Sequence, residues 1–199
     1  MAVAGRNGLN APLVALRDQA VALRPLTGPV LAPGIALHID PAAQIAVTWA
    51  SPRARLLEVQ TRVTTPGAWL GLHIALPPLD LRAVEWLGFA ARSAAATALV
   101  ARVALRSGLP EENGGGTAGG IGGGTRGGTG GGEAGGGFCD AFFDRYLLSQ
   151  PTLGEHHDML APPRRPDLPP RAPWRELVLF LPPGHDIAWA LHDLRLVRA

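Results

Sequence analysis

The chain has 199 residues, 47% hydrophobic and 17% charged, with a formal net charge of +2. That length suits one domain with a sizeable core even after a disordered insert is subtracted. All 18 basic residues are Arg and are spread along the sequence, which excludes the clustered charge and interleaved aromatics of a nucleic-acid footprint.

Residues 1–34 form an N-terminal segment of ambiguous structure. Asn10 is placed to cap a short helix with Leu13, Leu16, Ala20 and Leu23 inward, but Val14, Leu16, Val21 and Leu23 also fit two short edge strands. Arg17 and Asp18 interrupt its apolar run, Leu13 to Leu23, which is too short to span a bilayer and does not read as a signal peptide. The expectation is a soluble protein, cytoplasmic as synthesised, with no membrane partner. Export by a route needing no N-terminal signal is compatible with it.

From residue 35 to 199 the pattern is that of one β-sandwich domain. Ile35, Leu37 and Ile39 alternate, Asp40-Pro41 makes a turn, and Gln44 to Ala50 alternates again. Ser51-Pro52 leads into Leu56 to Val63, and Pro66-Gly67 turns the chain into Trp69 to Leu76. Connections this short favour antiparallel hairpin neighbours. After Pro77-Pro78, Val84 to Ser93 reads as a strand. In Ala98 to Arg106, the residues Leu99, Ala101, Val103 and Leu105 give a core face opposite Arg102 and Arg106.

Between Asn113 and Gly137 lies a glycine-rich insert, read as a flexible surface loop because it cannot bury enough apolar surface to offset its ordering entropy. It has no Gly-Lys-Ser/Thr to cradle a phosphate and no Asp for a calcium-binding glycine repeat. Cys139, the only cysteine, excludes an intrachain disulfide and, with no neighbouring His, reads as a small buried apolar residue. Phe138 to Leu148 suits a helical turn almost as well as a strand. Gln150 to Arg171 reads as a long Pro-rich loop, of the kind that often carries a site. Trp174 to Leu181 and Trp189 to Val197 close the chain as consecutive strands around Pro182-Pro183-Gly184. In the first, Trp174, Glu176, Val178 and Phe180 share one face, and Arg175, Leu177, Leu179 and Leu181 the other.

Six or more strands of this kind predict an all-β fold, an antiparallel β-sandwich. The runs Trp69-Leu-Gly-Leu-His-Ile-Ala-Leu-Pro77, Trp86-Leu-Gly-Phe-Ala-Ala-Arg-Ser93 and Arg102-Val-Ala-Leu-Arg-Ser107 resemble the middle strands of galactose-binding-like jelly-roll domains, a group that includes many carbohydrate-binding modules. Trp174-Arg-Glu-Leu-Val-Leu-Phe-Leu-Pro182 and Leu191-His-Asp-Leu-Arg-Leu196 are similar to their last two strands. The resemblance covers about Ile35 to Arg198 and implies a jelly-roll fold and noncovalent binding of a glycan or polyol.

A sugar site needs aromatic planes for ring faces and charged or amide groups for hydroxyls. Arg62, His73, Arg92, Arg102 and Arg106 are candidate ligand-binding residues on strand faces, with Asp140, Asp144 and Arg145 bordering the same surface. The plainer alternative makes them solvated Arg–carboxylate pairs, with Arg106 bound to Asp140 or Asp144. Trp49, Trp69, Trp86, Trp174 and Trp189 are expected in the core. His157-Asp158, His185-Asp186 and His192-Asp193 do not converge on one ion, since strand neighbours point to opposite faces, and no metal or other cofactor is assigned. Ser93, Ser107 and Ser149 lack a nucleophile elbow, so no catalytic residue is assigned. The leading expectation is a carbohydrate-binding module. A structural or interaction subunit of an assembly such as a virion, tail or appendage is the alternative, and a small saccharide hydrolase the second alternative.

Overall fold

The computed structural model describes residues 6–109 and 137–199. The insert expected over 113–137 therefore lies, apart from Gly137, outside the described residues. The chain starts with α1 (Arg6–Leu9) and α2 (Ala11–Gln19). There follow β1 (Arg24–Pro25), β2 (Val30–Ala32), β3 (Ile35–Ile39), β4 (Gln44–Ala50), β5 (Leu57–Thr65), β6 (Leu70–Leu76), β7 (Leu87–Ala95) and β8 (Leu99–Gly108). The remainder comprises β9 (Phe138–Phe142), β10 (Leu147–Ser149), β11 (Gly154–Leu160), β12 (Arg175–Leu181) and β13 (Ala188–Arg198).

These strands form two sheets, and each neighbouring pair is antiparallel. The six-stranded sheet has the order β1-β4-β5-β13-β7-β11. The seven-stranded sheet has the order β10-β8-β12-β6-β3-β2, with β9 also paired to β8. The core lies between them. Leu57, Val59, Phe89, Trp189, Leu191 and Leu194 of one sheet meet Leu37, Leu72, Ile74, Leu105, Leu177 and Leu179 of the other, all essentially buried. Burying one such Leu contributes about 1.5–3 kcal/mol, so the alternation fixes which face of each strand turns inward. The expected antiparallel sandwich is the observed fold.

The short connections are not all hairpins. β4 and β5 do pair, but β3 to β4, β5 to β6 and β12 to β13 each pass from one sheet to the other. Two sheets packed face to face stand roughly 10 Å apart, and a few residues bridge that gap as readily as they reverse direction within a sheet. The stretch read as a Pro-rich loop contains β11, an edge strand paired with β7. Phe138 to Leu148 forms β9 and β10 rather than a helix.

The N-terminal segment is helical over α2, with Leu13 and Leu16 buried. Asn10 makes no side-chain cap there. Its amide instead donates to Leu196 O at 2.9 Å and accepts from Leu196 N at 2.8 Å. Past Leu191, β13 no longer pairs with β5, so these bonds close backbone groups that the ladder would otherwise leave open. Arg175, on the core side of β12, is 3% exposed. Its guanidinium donates to Ser107 Oγ and to the carbonyls of Leu79, Pro169 and Pro170, tying the proline-rich segment to the sheet.

Candidate functional site

The outer face of the seven-stranded sheet is the candidate site. Strand alternation that buries Leu99, Ala101, Val103 and Leu105 turns Arg102, Ala104 and Arg106 outward. Antiparallel register then sets Phe138 opposite Gly108, Asp140 opposite Arg106 and Phe142 opposite Ala104 on β9. On the other side of β8, Phe180 lies opposite Arg102 and Glu176 opposite Arg106. Val178 of β12 pairs with His73 of β6, and His73 pairs with Ala36 of β3. Sheet pairing thus gathers three Phe, two Arg, a Glu, an Asp and a His onto one surface.

The side chains on it are bound to one another. Arg106 donates through Nε and Nη2 to both carboxylate oxygens of Asp140, each at 2.7 Å. Its guanidinium carbon also lies 3.9 Å from the Phe138 ring centre and 5.6 Å from that of Phe180. Arg102 is exposed and stacks 3.8 Å over the Phe142 ring, which is 5.8 Å from Phe180. His73 Nδ1 is 2.7 Å from Glu176 Oε2, and the His38 ring meets His73 edge-on at 4.7 Å. A Cβ at Gly71 would come within 2.9 Å of His73 Nε2, so the glycine lets the imidazole lie against the sheet.

Two groups here have displaced proton affinities. Burial pulls the Glu176 carboxyl upward, but the His73 hydrogen bond and the charges of His73, Arg106 and His38 outweigh it, leaving the group below the usual carboxylate range. Glu176 is therefore an ionised acceptor at neutral pH. Burial lowers the His38 imidazole, helped by His73 and Arg106 and opposed by Glu176, which favours its neutral form.

The face has an open end. Arg102, Phe142, Phe143, Asp144, Arg145, Tyr146 and Arg165 line a cleft of about 320 Å³ where β9 runs into β10. At the opposite end of β8, Trp174 lies over Gly108, where a Cβ would come within 2.5 Å of the indole nitrogen. Trp174 is 38% exposed.

The structure brings together His73, Arg102, Arg106 and Asp140 from the sequence-derived set, with Asp144 and Arg145 at the cleft. It does not bring Arg62 or Arg92 to this face. Arg62 on β5 pairs across to Ala46, and Arg92 on β7 pairs with Glu155 of β11, so both belong to the six-stranded sheet. Local alternation separates the two faces of a strand but does not assign the strand to a sheet. Arg106 and Asp140 occupy each other, and Arg92 lies 3.2 Å from Glu155, so part of the set consists of Arg–carboxylate pairs.

Sequence reasoning passed over Phe138, Phe142, Phe180, Glu176 and Trp174. Their signal was phase: Trp174, Glu176 and Phe180 alternate with Leu177 and Leu179, and the second set is the buried one. Trp49 and Trp189 are in the core as expected, whereas Trp69 and Trp86 are half-buried and Trp174 stands on the rim. Ser93 and Ser149 are fully buried, sharing a 2.7 Å hydrogen bond, and Ser149 also accepts from Trp189 Nε1 at 2.9 Å. Ser107 is equally buried and serves Arg175. These hydroxyls are structural. Cys139 is half-buried, and burial, with Asp167 and Asp140 nearby, raises its thiol. No group of three or more metal-ligating side chains occurs among the described residues, and no described helix is long and apolar enough to cross a membrane.

No protein-family model matches the chain, and no curated protein matches it in sequence. Solved structures do superpose on it. The family 11 carbohydrate-binding module from Clostridium thermocellum, in complex with a beta-1,3-1,4-mixed-linked tetrasaccharide, superposes with a TM-score of 0.51 at 14% identity, covering 90% of this chain and 98% of that one. The family 11 module of the cellulosomal cellulase Lic26A-Cel5E of the same organism gives 0.46 at 15% identity, covering 90% and 96%. The CBM22-1 xylan-binding domain of Paenibacillus barcinonensis Xyn10C gives 0.42 at 9% identity, covering 81% and 85%. The first of these likenesses, at 14% identity, is one of fold.

Proposed function

We propose that this protein binds carbohydrate noncovalently across the outer face of its seven-stranded sheet. The observation that carries the reading is the band of rings and charges running from Trp174 through Phe138, Phe180 and Phe142 to Arg102, with Glu176 and His73 beside it. Trp174 offers an exposed ring, and the half-buried Phe rings beside it are partly covered by the Arg106 and Arg102 guanidinium groups, which continue the surface as planar groups. Sugar rings present an apolar C–H face to such planes and place hydroxyls at the edge, where an ionised Glu accepts and an Arg fork donates. The fold shared with a module solved in complex with a tetrasaccharide supports the same reading.

Within the band, Arg106 and Asp140 act as scaffold. Each satisfies the other, which holds Phe138 and Phe180 at fixed spacing and leaves Arg102 and Glu176 to meet ligand. The test is glycan-array screening of the purified protein, followed by calorimetric titration of the wild type and Glu176→Gln with an oligosaccharide that binds. Glu176→Gln keeps the shape but removes a charged acceptor, and affinity is expected to fall about tenfold. The absence of any saccharide binding, or an unchanged affinity in Glu176→Gln, would overturn the assignment.

A further inference from the structure

We infer that the cleft at the β9–β10 end of this face is a subsite for a carboxylate-bearing sugar, so that the ligand is an acidic glycan containing uronate residues. The inference rests on the carbohydrate-binding reading and goes beyond it by naming the ligand's charge.

Many arginines of this chain are paired with carboxylates. Arg17 pairs with Asp193, Arg55 with Glu58, Arg82 and Arg171 with Asp80, Arg92 with Glu155 and Arg106 with Asp140. Others, such as Arg24 over Trp49 and Arg164 over Trp86, lie on rings instead, and the cleft holds arginines of this second kind. Arg102 and Arg145 both line it, and neither forms an ion pair among the described residues. Arg165, also in its wall, has only a 3.6 Å approach to Asp167. Against these three guanidinium groups the wall offers one carboxylate, Asp144. With Arg165 paired to Asp167, Arg102 and Arg145 remain against Asp144 alone, and this excess of positive charge attracts an external anion.

Geometry narrows the anion to a carboxylate carried on a sugar ring. The Arg102 guanidinium carbon lies 3.8 Å over the Phe142 ring centre, and a guanidinium can donate two parallel hydrogen bonds, the arrangement that a planar carboxylate matches. Phe142 links the cleft to the Phe180 band, so a chain lying on that band would deliver its end ring to the arginines. Tyr146, which is 59% exposed, adds an aromatic plane and a hydroxyl. The volume, about 320 Å³, sits at the low end of small-ligand pockets, roughly 300–1,000 Å³, so it suits an end ring rather than a long stretch of chain.

The test compares oligosaccharides of equal length by calorimetry: a neutral one, its uronide counterpart and its sulfated counterpart, each against wild type, Arg145→Gln and Arg102→Gln. Arg145 is exposed and makes no side-chain ion pair, so its replacement leaves the fold unchanged, which thermal unfolding verifies. The uronide is expected to bind wild type about tenfold more tightly than the neutral chain, with a preference that shrinks at high salt. Arg145→Gln should remove most of that preference while leaving neutral-chain affinity within about twofold. Equal affinity for neutral and uronide chains would overturn the acidic-ligand inference and leave the carbohydrate-binding reading standing. Tight binding of the sulfated chain alone would overturn the carboxylate assignment. If no chain of any kind bound, both readings would fall.

Discussion

Arg106 and Asp140, which face each other across the β8–β9 ladder, exchange two 2.7 Å hydrogen bonds, and the guanidinium stacks on Phe138 at 3.9 Å. Both side chains are mostly buried. Arg106→Ala therefore leaves a carboxylate in a poorly solvated position, and denaturant unfolding should show a loss of about 1–3 kcal/mol. Arg102→Ala, at an exposed position, should cost less than about 0.5 kcal/mol. Equal and small losses for the two variants would contradict the scaffold role given to Arg106.

Gly71 controls the His73 imidazole. A Cβ at that position would sit 2.9 Å from Nε2 and 3.2 Å from Cδ2, so Gly71→Ala must push the ring off the sheet and away from Glu176. The imidazole proton chemical shifts of His73, compared between wild type and Gly71→Ala at one pH, should then move toward those of a solvent-exposed ring, and any saccharide affinity should fall with them. An imidazole unperturbed in Gly71→Ala would mean that the ring does not rest where the structure has it.

Acid should weaken the fold in two stages. His38 and His192 are both lowered from the ordinary 6.5, mainly by burial, and Glu176 is held below 4.5 chiefly by the His73 bond working against burial. Each group binds protons less readily folded than unfolded, so the unfolded chain gains protons first as pH falls, and stability drops with it. The melting temperature is expected to decline from near neutrality through the histidine range and again as pH falls through the carboxylate range, from 4.5 downward. His38→Gln should reduce the first decline, leaving the part due to His192. An identical pH profile in that variant would remove His38 from the account.

Leu109 N–H donates to Gly137 O at 2.8 Å, and Gly108 pairs with Phe138, so the two ends of the intervening segment already meet as a closed ladder. Replacing residues 110–136 by a short Gly/Ser turn should change stability by no more than about 1 kcal/mol, because loop-closure entropy grows only logarithmically with length. A loss of several kcal/mol would show that the segment contributes packing of its own.

Where one face of a strand is buried and the other is not, the sequence could be read nearly residue by residue, and β4 and β5 are examples. β11 was illegible for the opposite reason. It is an edge strand in which Glu155, His157 and Met159 are exposed and His156 and Asp158 only half-buried, so no apolar period marks it. The pairing of strands into sheets was also hidden, because Pro66-Gly67 and Pro182-Pro183-Gly184 have hairpin length yet lead from one sheet to the other. The candidate site was half legible. The phase of Arg102, Arg106 and His73 gave their outward direction, but Arg62 and Arg92 show the same local phase on the other sheet. Phe142 was missed because its stretch suits a helical turn almost as well as a strand, and Phe180, though in phase with Glu176, because Arg175 puts a charge on the opposite, core face of β12 as well.

The central claim is that ligand lies on the outer face of the seven-stranded sheet, and amide chemical-shift mapping during titration with a binding oligosaccharide tests it most directly. The account predicts that perturbations concentrate on β6, β8, β9 and β12, with the largest near Arg102, Phe142, Glu176 and Phe180. Perturbations confined to β5, β7, β11 and β13, or to the loops of the six-stranded sheet, would contradict it.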